Sequence, residues 1–240
     1  MKYNNKIINV SNKKSIIKKL FNDVSDNYDR MNDLMSLGMH RIWKKDMINE
    51  LKNEEADIIL DLAGGTGDIS VQLAKIYTKS IIIIYDLSIK MMNTSDINSH
   101  EYKDKIKYIN GSAEEIALKT NSVDLITLSF GLRNFSDLEK SIKECNRVLK
   151  YGKKLFCLEF SPSFSTVIKP FYDFYSYNII PKIGKKIAKN EEAYLYLTES
   201  IRDFPHNNEL RNIFTKNGFF CYNRKKYLGG IAYLNTFCKI

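Results

Sequence analysis

The sequence predicts an α/β domain built on a mainly parallel sheet with helices on both faces. Three observations carry that prediction. Short β-branched runs alternate with helical runs from Asp57 to Ser161. The first of those runs ends in a glycine cluster, LDLAGGTGD (Leu60 to Asp68), and the second ends in an acidic residue, Asp86 of IIIIYDLS. Strand–helix alternation requires crossover connections, which make neighbouring strands parallel and cover both faces of the sheet. A chain of 240 residues with 44% hydrophobic content suits one large domain with a sizeable core.

The elements follow in order. The opening MKYNNKIINVSNKK is polar and rich in Asn and Lys, so residues 1–14 are expected to form a disordered tail ahead of a single domain, 15–240. Ser15 to Leu51 carries apolar residues at helical spacing: Ile16, Ile17, Leu20 and Phe21, then Met31, Leu34, Met35 and Met39. Gly38 breaks that run, and 15–52 reads as an N-terminal helical lid. DIILDLAGG (57–65) is a buried strand, DISVQLAKIY a helix, and KSIIIIYDLS a second strand. IKYIN (106–110) and VDLITLSF (123–130) are the third and fourth. Helix DLEKSIKECNRVLK places Leu138, Ile142, Cys145, Val148 and Leu149 on one face, and KKLFCLEFS (153–161) is the fifth strand. Residues 162–205 break the rhythm with aromatic and basic residues and read as a helical insertion. NNELRNIFTKNGF is a helix with a Gly stop, and YNRKKYLGGIAYLNTF closes the chain as a hairpin around Gly229 and Gly230.

The chemistry concentrates at the strand ends. Glycines after a first strand let the chain turn tightly and let a ligand approach the backbone. A dinucleotide fingerprint wants a third Gly where Ser70 stands, counting from Gly65 and Gly67. Asp61, just ahead of the glycines, suits a cationic amine and repels a diphosphate. The loop therefore favours an adenosylmethionine type of ligand over NAD. Asp86 can accept both ribose hydroxyls as hydrogen bonds, a feature shared with NAD enzymes. In NGSAEE (110–115), Ser112 and Ala113 lie where backbone groups can edge an adenine. Each loop alone is an ordinary strand–helix connection; their succession on consecutive strands argues for a site. In SFGLRN (129–134), Arg133 and Asn134 either form a surface ion pair or point into the cleft and hold a substrate oxygen.

The bulk numbers exclude other classes. The net charge of +9 suggests an anionic partner, or merely a Lys-rich surface, since the lysines are spread along the chain. No nucleic-acid-binding module stands out, and no Cys or Asn-Pro-Pro-Tyr motif of a nucleic-acid methylase follows the fourth strand. Cys145, Cys157, Cys221 and Cys238 show no metal or redox spacing and read as reduced thiols of a cytoplasmic protein, so no metal site is expected. The polar start is not a secretory signal, and the aliphatic run Ile81 to Ile84 is too short to span a bilayer.

YDRMNDLMSLGMHRIWK (28–44), LDLAGGTGD, SFGLRN, RVLK (147–150), LEFS (158–161) and YLTESIRDFP (196–205) resemble the ubiquinone/menaquinone biosynthesis C-methyltransferases. The resemblance runs from about Phe21 to about Phe219. It implies a class I methyltransferase (Rossmann-like) fold: seven strands, the last antiparallel, with S-adenosylmethionine as methyl donor. It implies methylation of a ring carbon on a polyprenylated benzoquinol, on demethylmenaquinol, or on both. Motif matching carries over Thr66, Asp86, Ser112, Ala113 and Ser129 as cofactor residues, beside Asp61, Gly65 and Gly67. Three stretches depart from the family pattern: IALK (116–119), KYGKK (150–154) and the closing LNTFCKI.

On that resemblance Arg133, whose high pKa makes it a poor base, stabilises a phenolate, and Asn134 orients the ring oxygen. His40 either titrates near neutral pH or packs. Met31, Met35, His40 and Trp43 form an apolar lid over the polyprenyl tail or pack on the core, and both readings can hold for different faces. Tyr172 and Tyr175, in the insertion with Phe171, Phe174 and Tyr177 and flanking lysines, form the companion wall at a membrane interface or are buried against the sheet. The expected partner is the quinol, with peripheral contact at the inner face of the membrane and a homodimer or quinone-biosynthesis complex left open. A non-catalytic scaffold and an RNA methyltransferase are the alternatives.

Overall fold

A computed structural model of the chain describes residues 2–3, 6–7, 10–24, 32–33, 36–93, 102–162, 165, 169–179 and 191–240. Seven strands form one sheet: β1 (Ile58–Leu62), β2 (Ile81–Asp86), β3 (Ile106–Asn110), β4 (Val123–Ser129), β5 (Leu149–Phe160), β6 (Phe219–Tyr227) and β7 (Ala232–Lys239). Their spatial order is β3-β2-β1-β4-β5-β7-β6. Only β7 runs against the rest, paired antiparallel to β5 on one side and β6 on the other. Parallel strands buried on both faces read as continuous apolar runs, which is why IIII and VDLITLS need no polar alternation.

Among the described residues eight α-helices flank the sheet: α1 (Val10–Val24), α2 (Met39–Leu51), α3 (Asp68–Ile76), α4 (Ile89–Asn93), α5 (Leu138–Val148), α6 (Lys169–Phe174), α7 (Glu191–Arg202) and α8 (Asn207–Lys216). Strand residues alternate between two cores. Ile59, Ile82 and Leu125 join α1 to α4 and α7, whereas Leu60, Ile83 and Ile126 join α5 and α8. The cleft lies at the carboxyl ends of β1 and β4, where the strand order reverses and where open α/β sheets bind ligands.

Several boundaries differ from the sequence reading. Helix α1 begins at Val10, inside the segment expected to be a tail, and Lys2–Tyr3 pairs with Lys6–Ile7. Lys13 donates to the Phe135 carbonyl, which ties that first turn to the body of the domain. Strand β5 begins at Leu149 rather than Lys153: Leu149 pairs with Val123, and the ladder resumes at Lys154 after a kink at Gly152, whose φ is 71°. The drifted KYGKK turn is that kink. The altered closing segment pairs along both edges as β7, and the Lys239 ammonium donates to the Asn121 side chain and to the Asn146 and Leu149 carbonyls. Edge strand β6 carries Arg224, Lys225 and Lys226 outward, which discourages edge-to-edge pairing.

Candidate active site

Two loops meet at the cleft in strained conformations. Ala63 (φ 55°) follows β1 and Phe130 (φ 57°) follows β4; neither is a glycine, and such strain clusters at functional sites. The strand ladder holds them there: the Ala63 N–H donates to the Tyr85 carbonyl at 2.7 Å and the Phe130 N–H to the Leu158 carbonyl at 2.8 Å. Gly131 is required by their contact, because a Cβ on it would lie 2.5 Å from the Ala63 Cβ.

The cofactor-type residues converge. Asp61, Gly65, Thr66 and Asp86 line the cleft, as do Ser112, Ala113, Ser129 and Asn134. Gly67 does not line it; at φ 78° it caps α3 and sets that helix's entry. The Gly65 N–H donates to Asp86 Oδ2 at 2.9 Å and the Ser88 N–H to Oδ1 at 2.7 Å, so the carboxylate is aimed but keeps lone pairs for hydroxyl donors. Gly111 sets the third loop. A Cβ there would lie 2.1 Å from the Tyr85 hydroxyl, which bonds the Glu115 carbonyl and the Ala117 N–H. The IALK departure is thus anchored by backbone.

Asp61 is fully buried and accepts from Ser70 Oγ at 2.6 Å and Thr127 Oγ1 at 2.8 Å. Burial pushes its carboxyl up to about 6, against the lowering effect of those two hydroxyls. Ser129 Oγ is buried and has no hydrogen-bond partner among the described residues, which suits contact with a polar ligand. A buried carboxylate, an orphaned hydroxyl and a half-buried acid on β2 fit the amino-acid and ribose ends of S-adenosylmethionine.

The other candidates sit differently. Arg133 does not line the cleft. Its guanidinium is fully buried, with Nη1 2.6 Å from both Glu159 Oε1 and the Phe130 carbonyl oxygen. The Arg133 backbone N–H also donates to Glu159 Oε2, at 3.1 Å. Glu159 needs a cation because it occupies a strand covered on both faces. Asn134 does line the cleft, and its Oδ1 accepts from the Tyr196 hydroxyl at 3.1 Å.

His40 is 2% exposed, 3.0 Å from Ser36 Oγ and edge-on to Phe130. Burial and then the Lys44 charge lower it to about 4, so it stays neutral near pH 7 and packs. Trp43 is 2% exposed, wedged among Phe130, Phe160 and Tyr227. Tyr172 is buried and Tyr175 packs against the core. Met31 and Met35 lie outside the described residues. The apolar wall of the cleft comes instead from Ile17 and Phe21 of α1, with Met91 and Phe135.

Besides Thr127 and the apolar wall, the sequence reading missed Glu159, Tyr196, and the ion pair of Lys44 and Asp68, which lines the cleft at 2.6 Å. Glu159 left a signal, an acid inside the apolar run LFCLEF. Lys44 left a weaker one, on the apolar stripe of α2 with Met47, Ile48 and Leu51.

Fold and site together define a class I S-adenosylmethionine-dependent methyltransferase. The family model of the ubiE/COQ5 methyltransferase family matches residues 8–239. A ubiquinone/menaquinone biosynthesis C-methyltransferase UbiE of Rickettsia prowazekii is 41% identical over 98% of this chain and 97% of its own length. The UbiE of Rickettsia typhi is 40% identical over 97% and 96%. The chain belongs to the ubiE/COQ5 methyltransferase family. Solved structures share the fold: a SAM-dependent methyltransferase from Aquifex aeolicus (TM-score 0.59, 16% identical, 82% of this chain and 89% of that one) and the [4+2]-cyclase SpnF (0.66, 12%, 93% and 94%).

Proposed function

We propose that the chain methylates a ring carbon of a polyprenylated quinol, either demethylmenaquinol, a methoxy-benzoquinol, or both. The observation that carries this reading is the cleft's composition. A polar cofactor end adjoins an apolar wall of Ile17, Phe21 and Phe135, with one amide, Asn134, beside it. The names of the 40–41% identical relatives support it.

S-adenosylmethionine supplies an electrophilic sulfonium methyl group. With the cofactor bound, the ring carbon would take that methyl as the sulfur–methyl bond breaks, and the ring hydrogen would leave as a proton. A ring carbon becomes a good nucleophile once a neighbouring hydroxyl loses its proton, so the site must orient that oxygen. Asn134 does so, fixed by Tyr196. Arg133 acts from behind the wall as a positioning residue, since its bonds to Glu159 and the Phe130 carbonyl hold the turn that presents Asn134.

We also infer a cytoplasmic protein working against the inner face of the membrane that holds the acceptor's tail. Ile42 of α2 and Leu228, just past β6, are 59% and 47% exposed and line one shallow groove with Lys45 and Lys226. Among the described residues no helix is long and apolar enough to cross a membrane.

The test is methyl transfer from labelled S-adenosylmethionine to two reduced short-tail acceptors, a methoxy-benzoquinol and a demethylmenaquinol, with Asn134→Ala beside the native chain. Label in one quinol, lost in the variant, supports the reading. No label in either, with cofactor still bound, refutes it.

A further inference from the structure

We propose that Lys44 recognises the carboxylate of the cofactor's methionine moiety, with Asp68 holding its ammonium in place. The inference rests on the cofactor assignment and not on the acceptor. Two cations line the cleft among the described residues, and they differ in kind: Lys18 is exposed, whereas the Lys44 side chain is 7% exposed. A buried ammonium needs a counter-charge, and Asp68 supplies one at 2.6 Å. Asp68 is itself 38% exposed, so the pair is neutral as a whole and its ammonium is held in one place at the cleft wall, where a ligand carboxylate can share it.

The position suits a zwitterion. An amino acid carries its ammonium and carboxylate on one carbon, so a receptor for it needs opposite charges a short distance apart. Asp61 provides the negative group, and Lys44 is near enough to act on it electrostatically. Lys44 Nζ also lies 5.9 Å from the ring centre of Phe130, the residue that follows Ser129. Ser129 Oγ, buried at the same cleft, is a second donor with no partner among the described residues. One carboxylate can accept from both, through its two oxygens. Because Lys44 belongs to α2 and Asp68 opens α3 directly after the glycine loop, the same contact would couple cofactor occupancy to the seating of the N-terminal helices.

Titration calorimetry with S-adenosylmethionine and its decarboxylated analogue tests this. The analogue keeps the sulfonium, the ammonium and the adenosine but lacks the carboxylate. The native protein is expected to bind the analogue at least about tenfold more weakly, the range of a charge-assisted hydrogen bond. Lys44→Gln should weaken S-adenosylmethionine by about tenfold to a hundredfold and leave the analogue within about twofold. Lys45→Gln, on the outer face of the same helix, changes net charge equally and should leave both affinities within about twofold. Equal weakening of both ligands by Lys44→Gln would reduce Lys44 to a structural contact and overturn the proposal. Equal native affinity for the two ligands would overturn it without any variant, so a failure of Lys44→Gln to fold leaves the proposal testable. A native protein that binds neither ligand would overturn the cofactor assignment itself.

Discussion

Replacing Glu159 with Gln should destabilise the domain sharply. The Glu159 carboxylate is 2% exposed and the Arg133 side chain fully buried, so neither charge can be rescued by water. Three donors converge on Glu159: Arg133 Nη1 at 2.6 Å, the Phe160 N–H at 2.9 Å and the Arg133 N–H at 3.1 Å. A Gln keeps one acceptor oxygen for the first two but turns an amide donor toward the third, and it leaves the guanidinium without a counter-charge. Removing one member of a buried pair costs roughly 3–5 kcal/mol. At about 2–4 °C per kcal/mol for a chain of this size, the melting point should fall by on the order of 10 °C. Urea unfolding followed by tryptophan fluorescence measures this well, because the single Trp, Trp43, packs on Phe130 and Phe160 in the same core. The double variant Arg133→Met/Glu159→Leu should recover most of the loss, since apolar replacement of a whole buried pair is often neutral or better. Its methyl transfer should stay low, because the turn bearing Asn134 has lost its polar anchor. A single variant within about 1 kcal/mol of native, or a double variant no more stable than the single, would refute the reasoning.

Other consequences can be checked separately. Asp61 is raised to about 6 by burial, above its unfolded value near 4, so the native chain holds a proton that the unfolded chain has lost. Its contribution to stability is therefore full below about pH 4 and lost as pH rises through 6, which urea unfolding at pH 4.5 and 7 against Asp61→Asn would show. Cofactor binding should run the other way, since the ligand's ammonium needs the ionised carboxylate: about tenfold weaker at pH 5 than at pH 7 by calorimetry, and flat in Asp61→Asn. Gly131→Ala drives a Cβ to 2.5 Å from that of Ala63, where no flexible side chain can yield, and should cost about 1–3 kcal/mol and weaken cofactor binding. Tyr196→Phe removes the hydroxyl that holds Asn134; kcat should fall about fivefold with the cofactor KM unchanged, the pattern of a lost orienting bond.

The sheet was readable because its signals are local. Ile81 to Ile84, the glycines after Leu62 and the Gly229–Gly230 turn each declare their conformation within a few residues. The candidate cleft residues were readable for a related reason: the fold puts them at strand ends, in the loops that interrupt the apolar runs. Boundaries were harder where two conformations share a burial pattern. Leu149 is buried whether it ends α5 or starts β5, and only pairing with Val123 decides. The partners that tune the site were hardest. Thr127 reaches Asp61 from 66 positions away and Tyr196 reaches Asn134 from 62, and no local pattern marks such pairs. Arg133 shows the cost of this. A cation just past a strand end reads equally as a ligand group or an ion-pair member, and the acid that claims it lies 26 positions on.

The division of labour at the cleft follows from the same geometry. Ala63 and Phe130 hold left-handed conformations at roughly 1–3 kcal/mol each, a cost borne by the β1–β4 and β4–β5 pairing that positions them. Those turns bring the glycine loop and the Asn134 turn against each other, Gly131 against Ala63. That arrangement belongs to the fold, which a [4+2]-cyclase shares, so it cannot by itself select a reaction. Selection must come from the groups the turns display. Asp61 and Ser129 line the cleft as the proposed cofactor groups, while Asn134 stands beside an apolar wall supplied by α1, an element outside the sheet. Helix α1, which Lys13 ties to the Phe135 carbonyl, is therefore the element that would set acceptor choice on the proposed function.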